Sequence, residues 1–307
     1  METLIHRAQG ALLGLAAGDA LGTTLEFTQP GLFTPIEDML GGGPFRLKAG
    51  QWTDDTSMAL CLGHSLVHAR GMDPEDQMRR YVNWRDYGYM SVTGSCFDIG
   101  GTTTTSLSAF QRSGDPFSGP TAPNKAGNGS LMRLAPVPIF FHQDAEAAIE
   151  AAATSSRTTH GARTCLDACR YYAGLIWLAL HGAEKDTLLG EMATPVPGSW
   201  DTAPLAPEIE AIARGSFKEK HPPEIRGTGY VVQALEAALW AFYHAEDFES
   251  GALLAVNLGE DADTTGAIYG QVAGAYYGLA GIPPKWRHRV WWNEQITALA
   301  RELVITE

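Results

Sequence analysis

Apolar residues recur at three- and four-residue spacing along most of the chain, and that period predicts helices. The segment IHRAQGALLGLAAGDALG, residues 5–22, carries it. So does TSMALCLGHSLVHAR, residues 56–70, with Asp55 or Thr56 available as an N-cap. The same pattern predicts helices over 75–87, 144–154, 160–182, 229–245, 250–257, 265–280 and 291–304. Alternating strand patterns are scarce, so the expected fold class is all-α: a compact multi-helix domain. No flexible linker divides it, and residues 1–307 read as a single domain. Residues 27–51, 113–138 and 193–228 lack a period and are rich in glycine or proline. Each is too long for a simple turn, and loops of that length are often functional.

A second pattern lies inside two of these helices. Gly10, Gly14, Gly18 and Gly22 recur every fourth residue, as do Gly266, Gly270, Gly274 and Gly278. Glycine costs roughly 1 kcal/mol against alanine in a helix interior. Four on one face therefore mark a stripe where another backbone comes very close. The expectation is two central, tightly packed helices, packed on each other.

Composition narrows the class. The chain has 307 residues, 45% of them hydrophobic, enough for a large core. Its formal charge of −13 argues against non-specific nucleic-acid binding, which needs basic patches. The longest apolar runs are interrupted by Asp19 or by glycine, so no membrane span is expected. METLIHRAQG lacks the basic and apolar segments of a signal peptide. The four cysteines include no Cys-x-x-Cys pair, and Cys165 and Cys169 fit an apolar helix as buried thiols. A reducing, cytoplasmic setting is the expectation.

The chemistry concentrates in two acidic knots. NLGEDADTTGAIYG, residues 257–270, places Glu260, Asp261 and Asp263 just before a predicted helix. GQWTDDTSMAL places Thr53, Asp54, Asp55 and Thr56 before another. Capping explains one oxygen side chain per helix start, not three or four. Packed carboxylates raise one another's pKa unless a cation neutralises them. Oxygen-only ligands select hard ions: Mg²⁺, Mn²⁺ or Ca²⁺. Glu26, in TTLEF, is a third acidic candidate, although a lone residue of this kind is more often a surface charge. Two such ions could activate water and grip vicinal hydroxyls or phosphate oxygens, with the substrate left open.

Other strings are weaker. AGNGS, through Gly127, Asn128, Gly129 and Ser130, suits a phosphate-cradling turn or an ordinary one. GNGSLMR lacks the P-loop lysine. His64 and His68 sit one helical turn apart without the glutamate of a metalloprotease. His160 opens a predicted helix, and Asp98 lies in a glycine-containing turn.

Together these strings resemble the ADP-ribosylglycohydrolase family. The matching pieces run in the family's order: GALLGLAAGDALGTTLEF, GQWTDDTSMAL, FDIGGTT, AGNGSLMR, SRTTH, GTGYVVQAL and NLGEDADTTGA. The resemblance implies an all-helical fold with two divalent cations, Mg²⁺ or Mn²⁺, in its cleft. It implies Thr53, Asp54 and Asp55 as one ligand group, Asp261, Asp263 and Thr264 as the other, and Glu26 as a further ligand that gates the site. It implies Asp98, Glu26 and Asp55 in catalysis. Gly100, Asn128, Gly129, Ser130, His160 and Tyr230 fall at substrate-binding positions. The implied reaction is hydrolysis of the bond joining ADP-ribose C1″ to an acceptor on a protein, with arginine closest by overall spacing. The proline-rich 193–228 segment leaves the protein target open. Two alternatives are a catalytically silent ADP-ribose binder and a two-metal phosphohydrolase acting on an ADP-ribose-type nucleotide.

Overall fold

The computed structural model describes residues 1–306. Among them are fifteen α-helices and no β-strand beyond two isolated bridges. The helices are α1 (Glu2–Gly22), α2 (Asp54–Ala69), α3 (Pro74–Tyr87), α4 (Gly101–Ser113), α5 (Pro136–Phe140), α6 (Ala145–Arg157), α7 (Arg163–Leu180), α8 (Lys185–Leu188), α9 (Ser199–Thr202), α10 (Pro207–Ala213), α11 (Val231–His244), α12 (Phe248–Val256), α13 (Ala262–Gly281), α14 (Pro284–Arg289) and α15 (Asn293–Ile305). The all-α expectation holds, and each predicted helix is present with its ends moved by a few residues. No helix is long and apolar enough to cross a membrane.

The glycine ladders lock α1 and α13 together antiparallel. A methyl carbon placed on Gly10, Gly14 or Gly18 would lie under 3 Å from the carbonyl oxygen of Gly274, Gly270 or Gly266, and the reverse holds for all three pairs. Gly22 meets Ala262 the same way. Only hydrogen fits between the backbones, which is why the ladders tolerate poor helix formers. Gly278 departs from the ladder: it has φ +72° and breaks the helix near its end, where a methyl would meet the His6 ring. From Ala8 onward α1 is buried nearly all round, as its apolar faces require. The helices α15, α12, α11 and α7 cover the pair.

Three features depart from the periodicity. Helix α4 was not predicted, because its GTTTT start has neither apolar period nor helix propensity. Its hydroxyls bond back along the helix: Thr104 to the Gly100 carbonyl, Thr105 to Gly101 and Ser106 to Thr102. The loop segments are less irregular than expected, since 113–138 contains most of α5 and 193–228 contains α9 and α10. Finally, α2 starts earlier than Asp55 or Thr56 would place it. Thr53 is its N-cap and makes no side-chain cap of its own.

Candidate functional site

Because α1 and α13 run antiparallel, the C-terminal end of α1 meets the N-terminal end of α13. This juxtaposition brings Asp19 and Glu26 beside Asp261, Asp263 and Thr264. The start of α2 docks on the same junction. Asp19, fully buried, accepts from the Thr53 backbone N–H at 2.8 Å and the Thr56 N–H at 3.0 Å. It also accepts from both hydroxyls, Thr53 at 3.0 Å and Thr56 at 2.6 Å. A carboxylate from another helix thus caps α2, and Asp54 and Asp55 are left for other work. Asp261 holds the N-cap position of α13 without a side-chain cap bond. Its N–H donates to the Gly227 carbonyl, and its carboxylate accepts from Asn128 Nδ2 at 2.7 Å.

The junction is short of positive charge. The Thr53 hydroxyl lies 3.0, 3.3 and 3.1 Å from oxygens of Asp19, Asp55 and Asp263, yet it has one proton to give. Thr264 Oγ1 approaches Asp55 Oδ2 at 3.3 Å, while Asp55 Oδ1 is buried with no partner. Glu26, Asp261 and Asp263 each offer an oxygen within 4.8 Å of the others. Burial first, then neighbouring carboxylates, pushes Glu26, Asp54 and Asp55 far up. The same causes, with Asp263 the leading neighbour, push Asp19 and Asp261 up to about 7 and Asp98 to about 9. An orphaned carboxylate oxygen among all-oxygen donors fits a hard divalent cation.

These shifts fix a sign. Carboxyls raised from an unfolded value of about 4 hold more protons folded than unfolded between that value and the folded one. The stability they contribute is full below about pH 4 and is lost as pH rises through 7 and 9, at about 1.4 kcal/mol per pH unit for each excess proton. In chelator, the melting temperature should fall between pH 5 and 8.5, and saturating Mg²⁺ or Mn²⁺ should flatten that slope. A melting temperature that climbs with pH in chelator would contradict the electrostatics.

The junction floors a cleft of about 670 Å³. Glu26, Asp54, Asp98, Asp261, Asp263 and Thr264 line its acidic end. Asp98 is held at φ +53° in the turn before α4, and Gly100 and Gly101 open α4 onto the cleft. Gly127, Asn128, Gly129 and His160 line the facing wall. That glycine loop is pinned by a bridge from Gly127 to Tyr230 and by Asn128 N–H donating to the Gly229 carbonyl at 3.1 Å. Buried Cys165 and Cys169 support it from behind, donating to the Gly127 carbonyl and Ser130 Oγ.

Of the sequence-predicted residues, Thr53 and Asp55 lie buried directly behind the cleft surface. Ser130 is also buried, accepting from Ser156 Oγ at 2.8 Å, and does not line the cleft. Tyr230 faces an adjoining groove that shares Thr102, Gly127 and Gly229 with the cleft. Glu260, left without a role by the sequence, is a strap. Its carbonyl accepts from Phe27 N–H and its N–H donates to the Thr28 carbonyl, each at 2.7 Å, tying the Glu26 turn to α13. Its carboxylate pairs with Arg226 at the surface. Water screens exposed pairs, so this one holds little of the fold together. Glu260 also lines the cleft, but Arg226 engages its carboxylate, so Glu260→Gln should keep activity within about twofold by initial-rate assay, and a tenfold loss would give that carboxylate a part in the chemistry.

Three site residues escaped the sequence: Asp19, Arg133 and Thr159. A charged residue near the C-terminal end of an otherwise buried apolar helix was the signal for Asp19. Arg133 and Thr159 carry no pattern of their own; each matters through what it touches.

Comparison with known proteins agrees with this architecture. The ADP-ribosylglycohydrolase family model matches residues 1–307. The chain is similar to the ADP-ribosylarginine hydrolase Tri1 of Pseudomonas putida (strain GB-1), 45% identical over 302 residues, covering 98% of this chain and 79% of that protein. It is 32% identical over 289 residues to the ADP-ribosyl-[dinitrogen reductase] glycohydrolase of Rhodospirillum rubrum, covering 91% and 88%. A solved structure described as an ADP-ribosylglycohydrolase-related protein complex superposes with a TM-score of 0.86 at 44% identity, covering 99% of each chain. The chain belongs to the ADP-ribosylglycohydrolase family.

Proposed function

We propose that this protein is a metal-dependent hydrolase that removes ADP-ribose from arginine side chains of proteins, cleaving the N-glycosidic bond at C1″. The observation that carries the reading is the carboxylate junction, with its unpartnered Asp55 oxygen, facing a glycine loop across one cleft. Similarity to Tri1 proteins supports arginine as acceptor, since the relative from Serratia proteamaculans (strain 568), 39% identical, carries the same name.

In this reading Thr53, Asp54, Asp55, Asp261, Asp263, Thr264 and Glu26 hold two divalent cations, Mg²⁺ or Mn²⁺. When bound, the cations neutralise the carboxylates and supply positive charge for the hydroxyls of the distal ribose. Gly100, Asn128, Gly129 and His160 form the walls that orient ADP-ribose, with Ser130 holding the glycine loop from behind and Tyr230 in the adjoining groove. As the glycosidic bond loosens, positive charge builds on the ribose, and a carboxylate oxygen left free of the cations stabilises it. Asp98 lines the cleft beside Asp263, and it or Glu26 is the carboxyl assigned to proton transfer between the attacking water and the departing guanidine. Glu26 orients the water from the cleft surface, and Asp55, buried behind it, acts only through the cations it would hold. The four unpaired cysteines are in keeping with a cytoplasmic setting.

Incubation with ADP-ribosyl-arginine and Mg²⁺ or Mn²⁺ tests the proposal. Release of ADP-ribose and arginine is expected. AMP with ribose phosphate would instead show a phosphohydrolase, and tight binding without turnover a silent binder.

A further inference from the structure

Arg133 is fully buried, and among the described residues no carboxylate pairs with it. In a chain of net charge −13, a guanidinium left without an acid at such depth needs a reason. It lies over the Tyr81 ring at 4.6 Å, behind the glycine loop. Its Nη1 donates to the Gly129 carbonyl at 2.9 Å and its Nη2 to Thr159 Oγ1 at 2.7 Å.

A guanidinium only donates, so the Thr159 hydroxyl accepts from it and keeps its own hydrogen for another acceptor. The other polar atom in reach is His160 Nδ1, at 2.9 Å. Nδ1 therefore accepts, and the ring proton resides on Nε2. Nε2 looks out past the glycine loop: a methyl carbon on Gly127 or Gly129 would lie 3.3 or 3.1 Å from it, and 2.7 Å from Cε1 in the case of Gly129. The ring reaches the cleft because those two residues have no side chain.

We propose that Arg133 and Thr159 are positioning residues that hold His160 in the tautomer carrying its proton on Nε2, aimed into the cleft as a donor to a phosphate oxygen. Burial, then the charge of Arg133, pushes His160 down to about 3, which keeps the imidazole neutral. The unmatched charge of Arg133 behind the same loop favours an anionic acceptor over a ribose hydroxyl or a guanidine. The identity of the ligand rests on the function proposed above; the relay itself does not.

Nitrogen-15 NMR of the His160 imidazole and calorimetric titration with ADP-ribose, ADP and adenosine test it. The wild-type ring should show an unprotonated Nδ1 and a protonated Nε2. Thr159→Val removes the hydroxyl at constant volume. It should mix the tautomers and weaken ADP-ribose and ADP about tenfold, the size of one charged hydrogen bond, with adenosine unchanged. Thr159→Ser should restore both. A wild-type ring protonated on Nδ1 overturns the relay even if the valine variant fails to fold. So does a Thr159→Val variant that binds ADP as tightly as wild type. Wild-type protein that binds neither ADP-ribose nor ADP overturns the ligand, and the function with it, whatever the tautomer shows.

Discussion

Asp263→Ala should abolish turnover of ADP-ribosyl-arginine and leave the protein folded. Asp263 stands in the first turn of α13, accepting from Thr264 N–H at 2.7 Å and lying 3.1 Å from the Thr53 hydroxyl. It shares its cluster with Glu26 and Asp261. It is also the leading neighbouring charge that raises Glu26, Asp19, Asp98 and Asp261. One substitution thus removes a proposed ligand and relieves repulsion on four other carboxyls. Partners that merely orient metal ligands typically cost 10–100-fold when removed, so loss of a direct ligand should exceed about 100-fold in kcat/KM. Without added cations the variant should melt at or above the wild-type temperature at pH 8, because the repulsion is gone. Opposite movements of activity and stability mark a residue kept for function. Full activity in Asp263→Ala would sink the metal assignment. A large drop in melting temperature in chelator would recast Asp263 as structural.

Gly14→Val should prevent accumulation of folded protein. A methyl at Gly14 would sit under 3 Å from the Gly270 carbonyl oxygen and 3.1 Å from the Phe248 ring. The ring can turn, but the carbonyl belongs to α13, which is held along its length by three further close approaches. Overpacking a core costs typically 1–3 kcal/mol where side chains can shift. Here a backbone must move, and moving α13 also separates Asp263 from Thr53 and from Glu26 at the far end of the pair. We expect a loss above about 3 kcal/mol, a large part of the 5–15 kcal/mol that holds a typical domain folded. Soluble yield and thermal melting, with Gly14→Ala as a milder partner, provide the measurement. A variant melting within a few degrees of wild type would show that the helices separate easily and that the ladders have another purpose.

Much of the molecule was legible along the chain. The 3.6-residue period located α1, α2, α3, α6, α7, α11, α12, α13 and α15, because burying one face of a helix leaves that period in the sequence. It missed α4, whose threonine-rich start lacks an apolar stripe and whose hydroxyls bond back to its own backbone, and the short α5, α8, α9, α10 and α14, of four to seven residues, which are too brief to show a period. The four-residue glycine recurrence predicted a close helix pair for a steric reason that needs no coordinates. The excess of acid over what capping requires pointed to cations for an electrostatic one.

What the sequence by itself determined was therefore local: an all-helical chain, two helices with bare faces, two acidic knots, and a family resemblance. Only the tertiary structure decided which acid does what. Asp19 caps α2, Glu260 straps the Glu26 turn, Asp55 keeps an oxygen free, and Arg133 reaches His160 through Thr159. The reason is range. Periodicity and helix capping act over a few residues and leave their mark within a few residues. Hydrogen bonding and charge repulsion act over a few ångströms, whatever the sequence distance between their partners. Thr53 and Asp263 stand 210 positions apart in the chain and 3.1 Å apart in the fold.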